Sequence, residues 1–251
     1  MRLTPISSSH ASIAPGGRSD MRSMMLAIAL VAGACSHNPP TIQPSPAAGG
    51  GGGGGGGWKS LNDASAWRGY KTDTVPSRWT FTNGVLSKAR PVADIVSREE
   101  FGDFELELEW QIGEAGNSGI FYRGTEEYDH IYWSGPEYQL LDNVKGADNK
   151  TPLTRAAAVY GLYPAPDGHD KPVGEWNTTR IVARGAHVEH WLNGFKMEEY
   201  ELWSPDWKAK VLASKFKDWP NYGRAKRGHI ALQGDHPGTL SFRNIRIREL
   251  R

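Results

Sequence analysis

One cysteine is all this chain of 251 residues contains, Cys35. A lone thiol excludes an internal disulfide framework and every multi-cysteine zinc site. Charge of neither sign is in surplus, with 29 Lys and Arg against 28 Asp and Glu. There is accordingly no electrostatic footprint for nucleic acid and no polybasic patch for a membrane surface. The apolar stretch near the N-terminus, Met24 to Ala34, is too short to cross a bilayer as a helix, which takes about 20 residues. No G-x-S-x-G nucleophile elbow occurs, and no His, Asp and Glu grouping has metal-motif spacing. Long segments with a 3.6-residue apolar period are missing as well.

What is present begins with an address. In "MRSMMLAIALVAGAC", Arg22 precedes the apolar stretch and small residues close it, the pattern of an export signal. Met21 is a candidate true start, because residues 1–20 add nothing that a signal needs. Cys35 directly follows "VAGA", which resembles the bacterial lipobox, although Ala32 stands where Leu is commoner. The expectation is an export signal over residues 1–35 and lipidation at Cys35. Membrane attachment would run only through that lipid, on the periplasmic or cell-surface side. The alternative is an ordinary cleaved signal with a spectator thiol.

Residues 36–57 are rich in Pro, Ser and Ala and end in nine glycines, followed by Trp58, Lys59 and Ser60. A phosphate-binding loop needs Gly immediately before Lys-Ser, a strand leading in and a helix leading out. Trp58 breaks that motif and a Pro-rich tract precedes it. A flexible tether is expected instead, with a reach of about 25 Å.

Residues 58–251 read as one all-β domain. In "FELELEW", Phe104, Leu106, Leu108 and Trp110 alternate with Glu105, Glu107 and Glu109, a strand with one buried face. "GIFYR", "EYQLLD", "TRIVARG", "HVEHWLNG", "GHIALQ" and "LSFRNIRIREL" are similar short runs bounded by turn residues. Asn83-Gly84 and Asn193-Gly194 sit between apolar flanks, a strong hairpin signal. Asp206 to Trp219 could carry a short helix or a loop insertion. Many closely spaced strands predict a β-sandwich. Arg246 and Arg248, alternating with Ile245 and Ile247, read as the solvated face of the last strand.

Candidate chemistry gathers mid-domain. Glu137 and Gln139 share one face of "PEYQLLD", a carboxylate beside an amide that suits sugar hydroxyls or acid–base work. An ordinary solvated carboxylate fits the same pattern, and the spacing leaves both readings open. Arg123 shares a face with Phe121 and could hold an anionic intermediate or form a surface ion pair. Asn117, in "AGNSG", shapes a turn of the kind that lines cleft mouths. Glu109 could neighbour Glu137 across the sheet. His236, in "LQGDHPG", follows a strand that ends in polar residues, where a proton-transferring imidazole could sit. His169 and His190 read as structural. Of the ten Trp and nine Tyr, most must fill the core, while one or two, Trp133 and Trp176 among the candidates, could stack on a sugar ring.

Several phrases together carry a family resemblance: "WRGY", "FGDFELELEW", "GNSGIFYRG", "PEYQLLDN", "GEWNTTRIVARG", "VEHWLNG", "GHIALQGDHPG" and "SFRNIRI". In this order, across residues 58–250, they resemble the bacterial 3-keto-disaccharide hydrolase family, also described as 3-keto-glucoside 1,2-lyase/3-keto-2-hydroxy-glucal hydratase domains. The resemblance implies a concanavalin-like jelly-roll β-sandwich, export as a lipoprotein and a carbohydrate substrate already oxidised at C3. It implies removal of the C2 proton, elimination of the C1 oxygen and rehydration, with hydrolysis as the net result. The positions matching its motifs nominate Glu137 as acid–base, with His236 as its proton-transfer partner. Arg123 or a bound divalent metal would stabilise the enolate, and Gln139, Asn117, Glu109, Trp133, Trp176 and Asn177 would bind the sugar. A lectin-like module that binds glycans without cleaving them is the alternative, since one fold serves both.

Overall fold

The computed structural model describes residues 56–251. The expected export signal, the lipidation at Cys35, the start at Met21 and residues 36–55 of the tether expected over 36–57 lie outside the described residues, while the Gly56 amide donates to the Glu249 carbonyl at 3.0 Å.

Thirteen strands and one α-helix make up the described chain. They are β1 (Lys59–Ser60), β2 (Trp67–Gly69), β3 (Thr80–Thr82), β4 (Val85–Lys88), β5 (Ile95–Phe101), β6 (Phe104–Ile112) and β7 (Asn117–Gly124). After these come β8 (Glu137–Leu141), β9 (Asn177–Arg184), β10 (His187–Leu192), β11 (Phe195–Glu201), α1 (Pro205–Ala213), β12 (Gly228–Leu232) and β13 (Leu240–Glu249). Two antiparallel sheets result. The larger has eight strands in the order β11-β10-β9-β6-β13-β4-β3, with β1 on β13; the smaller runs β2-β5-β12-β7-β8. This is the expected jelly-roll sandwich, and Lys59 and Ser60 belong to its sheet rather than to a phosphate loop.

Period-two alternation sets the layers. Phe104, Leu106, Leu108 and Trp110 of β6 are all at most 2% exposed and meet Tyr122, Tyr138 and Leu140 from the smaller sheet. Each such fully buried side chain contributes about 1.5–3 kcal/mol. The opposite face of β6 is an ion-pair ladder: Glu105 with Arg180 and Arg248, Glu107 with Arg246, Glu109 with Arg243. Both Asn-Gly pairs form two-residue hairpin loops with positive φ at each residue, 51° and 74° at Asn83-Gly84, 51° and 85° at Asn193-Gly194. That geometry matches the twist of the flanking strands.

A polar knot interrupts the core. His190 Nε2 bonds Tyr122 Oη at 2.9 Å, its Nδ1 bonds the Ala157 carbonyl at 2.9 Å, and Tyr200 joins Tyr122. Burial pushes the His190 imidazole down to about 4, so it sits neutral in the interior.

The helix in the 206–219 region starts where Ser204 accepts the Trp207 amide at 3.0 Å, with Pro205 in the first turn. Trp207 anchors it to the core. Ser214 ends it and caps a following 3-10 turn, Lys215–Asp218. This turn and a second one, Ile131–Trp133, contribute side chains to the cavity described next.

Candidate active site

β7 and β8 pair so that Phe121 faces Glu137 and Gly119 faces Gln139. Tyr122 and Tyr138 turn into the sandwich, which leaves Glu137, Gln139 and Gly119 on the outer face of the smaller sheet. Loops rise around that face and enclose a cavity of about 200 Å³. Asn117, Glu137 and Gln139 supply its floor, Tyr132, Asp148 and Tyr160 one side, and Lys215, Gln233, Asp235 and His236 the rest.

Glu137 is 6% exposed. Burial, with Asp148, Asp94 and Asp235 nearby, pushes its carboxyl up to about 8, while Lys215 pulls the other way. The Gln139 amide, oriented by its hydrogen-bond partners, donates to Glu137 Oε1 and to the Ser118 carbonyl, both at 3.0 Å. Asn117 Nδ2 donates to Asp148 Oδ2 at 2.9 Å, and Tyr160 Oη donates to the same oxygen at 3.2 Å. Lys215 Nζ stands 4.3 Å from the Tyr160 ring centre. Gln233 Oε1 is buried without a partner. A buried acceptor left open in a polar cavity is a place for a ligand hydroxyl.

His236 is positioned from below. Lys88 Nζ donates to the His236 carbonyl at 2.7 Å and to the Gly238 carbonyl at 3.3 Å. Asp94 Oδ1 accepts the Gly234 amide at 2.8 Å, and burial pushes the Asp94 carboxyl up to about 7. The imidazole itself is half-exposed, its Nε2 3.8 Å from Asp235 Oδ1. A buried acid, an accessible imidazole, a lysine and several amides therefore share one polar cavity.

Of the residues nominated from sequence, the structure brings together Glu137, His236, Gln139 and Asn117. Five others lie elsewhere. Arg123 is 2% exposed and donates to the Gly102 carbonyl at 2.9 Å, the Gly185 carbonyl at 2.8 Å and Asp103 Oδ1 at 3.1 Å. Its guanidinium ties β7 to the turn that joins β5 to β6 and to the turn between β9 and β10. The cause is a bulge: His229 pairs with Gly124 and Ala231 with Phe121, so β7 carries one residue more than β12, and Arg123 takes φ 50°. Glu109 sits in the other sheet, bound to Arg243 at 2.7 Å and Asn244 at 2.6 Å, and does not neighbour Glu137. Trp176 covers the same Arg243, with 4.1 Å from its ring centre to the guanidinium carbon. Asn177 accepts from the Lys171 amide and from Asn193, both at 2.8 Å, bracing a turn. Trp133 stacks on Trp219 at 5.0 Å, behind Tyr132.

Sequence reasoning missed Lys215, Asp148, Tyr160, Gln233 and Asp235. Asp235 adjoins the nominated His236, and Tyr160 has a usable signal in its place beyond the strand of Glu137. Lys215 had none, in a lysine-rich stretch that reads as solvated surface.

Carboxylates could hold a divalent ion, but the cluster of converging ligand atoms is elsewhere. Among the described residues, His187, Glu189 and Glu199 lie within 4.8 Å of one another on β10 and β11. There Lys196 pairs with both glutamates, and Glu201 bonds His187 at 2.7 Å.

Residues 57–248 match the model of the 3-keto-alpha-glucoside-1,2-lyase-like domain. The chain belongs to that family. A 3-keto-disaccharide hydrolase from Bacteroides thetaiotaomicron is 35% identical over 218 residues, covering 74% of this chain and 75% of the relative. A solved structure from Parabacteroides distasonis, provisionally designated a glycosyl hydrolase, superposes with TM-score 0.72 at 28% identity. It covers 78% of this chain and 94% of its own. A second structure of that designation from the same organism gives TM-score 0.62 at 30% identity, over 77% of this chain and 100% of its own. Family membership makes this a glycoside-processing enzyme, and it covers the strands that carry the polar cavity.

Proposed function

We propose that this protein cleaves the glycosidic bond of 3-keto-glucosides by elimination and rehydration. The observation that carries the reading is Glu137, a buried carboxyl of raised pKa, opening into one cavity with His236 and Lys215. The 3-keto-disaccharide hydrolase relative supports it. A carbonyl at C3 acidifies the C2 proton, because the electron pair left behind delocalises onto the ketone oxygen. Glu137 removes that proton, and a raised pKa brings the carboxylate's basicity closer to the task at neutral pH. Lys215 supplies the cation for the developing enolate, the role that Arg123 is too far committed to fill. The electron pair then forms the C1–C2 double bond as the C1–O1 bond breaks, and His236 protonates the departing oxygen. Water adds its hydroxyl at C1 and C2 takes up a proton exchanged with solvent, so atoms balance as hydrolysis. Asn117, Gln233 and Tyr132 are placed to orient sugar hydroxyls.

The test is incubation of the purified domain with 3-keto-trehalose and 3-keto-glucosides, with and without chelator, in heavy water. Loss of the keto-sugar with deuterium at C2 is expected. Binding of the sugar without bond cleavage would instead support the lectin-like alternative.

We further propose that the domain is exported and anchored by lipid at Cys35, as its N-terminal sequence suggests. Detergent-phase partitioning lost in a Cys35→Ser variant is the expected result; partitioning that survives would refute it.

A further inference from the structure

The 3-10 turn Lys215–Asp218 is an edge that two neighbouring cavities share. One side gives Lys215 to the polar cavity. The other gives Lys217, and Trp219 just beyond, to a larger groove of about 820 Å³. Four aromatic side chains line that groove: Trp203, Trp207, Trp219 and Tyr222. They are held rigidly, with Tyr222 parallel to Trp207 at 5.9 Å and stacked on Phe216 at 4.1 Å. A run of rings links the two cavities, since Trp219 stacks on Trp133 at 5.0 Å and Trp133 meets the edge of Tyr132 at 5.7 Å. Tyr132 already lines the polar cavity.

Charge decides the occupant. Lys208, Lys217, Arg224 and Lys226 line the groove, and no carboxylate does. Among the described residues Lys208, Lys217 and Arg224 form no ion pair, so the cations are not neutralised from within. Side-chain amides are missing from the lining too. Uncompensated cations favour an anionic ligand over a neutral second sugar, and the flat ring faces favour a planar ring. We infer that this groove is the leaving-group subsite, and that it takes an aromatic aglycone bearing an anionic group such as a carboxylate. This rests on the proposed keto-glucoside cleavage at the neighbouring cavity.

Two arms keep the inference apart from that reading. The first is calorimetric titration of the intact protein with 4-hydroxycinnamate and with its neutral methyl ester. The acid is expected to bind, the ester about tenfold more weakly, and a Lys217→Glu/Lys226→Glu variant to lose the difference. Both lysines are exposed, so that variant is expected to fold, and its circular dichroism checks this. The second arm compares kcat/KM for 4-carboxyphenyl and methyl 3-keto-glucosides, in both anomers. Their ratio should favour the aryl substrate and fall about tenfold in Trp219→Ala and in the double lysine variant. Binding of the acid without turnover of either keto-glucoside would sink the cleavage reading and leave an aryl-acid site. Turnover of the methyl substrate with no acid binding and no aryl preference would overturn this inference alone. Leu212 is an exposed apolar residue of the same groove, and self-association abolished by Leu212→Glu, together with no acid binding, would overturn the inference in favour of a contact between copies.

Discussion

The carboxyl of Glu137 lies over the bare Cα of Gly119. A Cβ at residue 119 would stand 2.7 Å from both Cγ and Cδ of the glutamate, closer than atoms tolerate. Gly119 therefore creates the space in which the acid is buried, and Gly119→Ala must push the carboxyl out of place. We expect kcat to fall about 100-fold, as displacement of a reacting group by an ångström does. Crowding should cost about 1–3 kcal/mol of stability. Urea unfolding and steady-state kinetics on the same preparation separate the two effects.

Removing the charge without the shape asks a different question. Glu137→Gln should lower kcat by about 10² to 10⁴ and leave sugar binding largely intact. Its stability should also depend on pH in a defined direction. The folded carboxyl titrates near 8 against an ordinary 4.5. Between those values the folded chain holds a proton that the unfolded chain has released, so wild-type stability falls as pH rises through the window. Glutamine has no such proton to lose. The Tm of the variant minus that of wild type should grow from pH 5 to pH 8.5, by about 10 °C. A flat difference would mean that the buried acid is not the group described.

Arg123→Met tests a residue that sequence reasoning placed in the site. Its guanidinium satisfies two carbonyls and Asp103 between the sheets. Loss of those donors should cost about 2–4 kcal/mol in unfolding free energy. The kcat per folded molecule should stay within a factor of two to three of wild type. A large drop in kcat with unchanged stability would return Arg123 to the chemistry.

Lys88 acts through the loop that carries His236. In Lys88→Met the carbonyls of His236 and Gly238 lose their donor. The loop should loosen, and kcat should drop about tenfold with the protein still folded. Solvent-exchange rates of amides 234–238 should rise in parallel. Unchanged exchange with lowered kcat would place Lys88 in the reaction rather than beneath it.

The local order of this chain was legible before any coordinates. Alternation in 104–110 determined which face of β6 is buried, and the two Asn-Gly pairs determined their hairpins, because both depend only on neighbouring residues. Glu137 and Gln139 could be assigned to one face for the same reason. Arg123 could not, because counting by twos assumes an unbroken strand, and a bulge at 122–123 turns its side chain toward the other sheet. Glu109 failed on distance, since alternation says which face a residue takes but not which sheet it joins. Lys215 and Gln233 meet Glu137 from segments far apart in the chain, and Asp148 meets it through the irregular loop after β8, so no local pattern records such a meeting. Sequence alone thus determined the strands, the turns and the family to which they belong. The burial that turns one of many glutamates into a raised-pKa acid was decided by tertiary structure, because desolvation is a property of everything packed around a carboxyl.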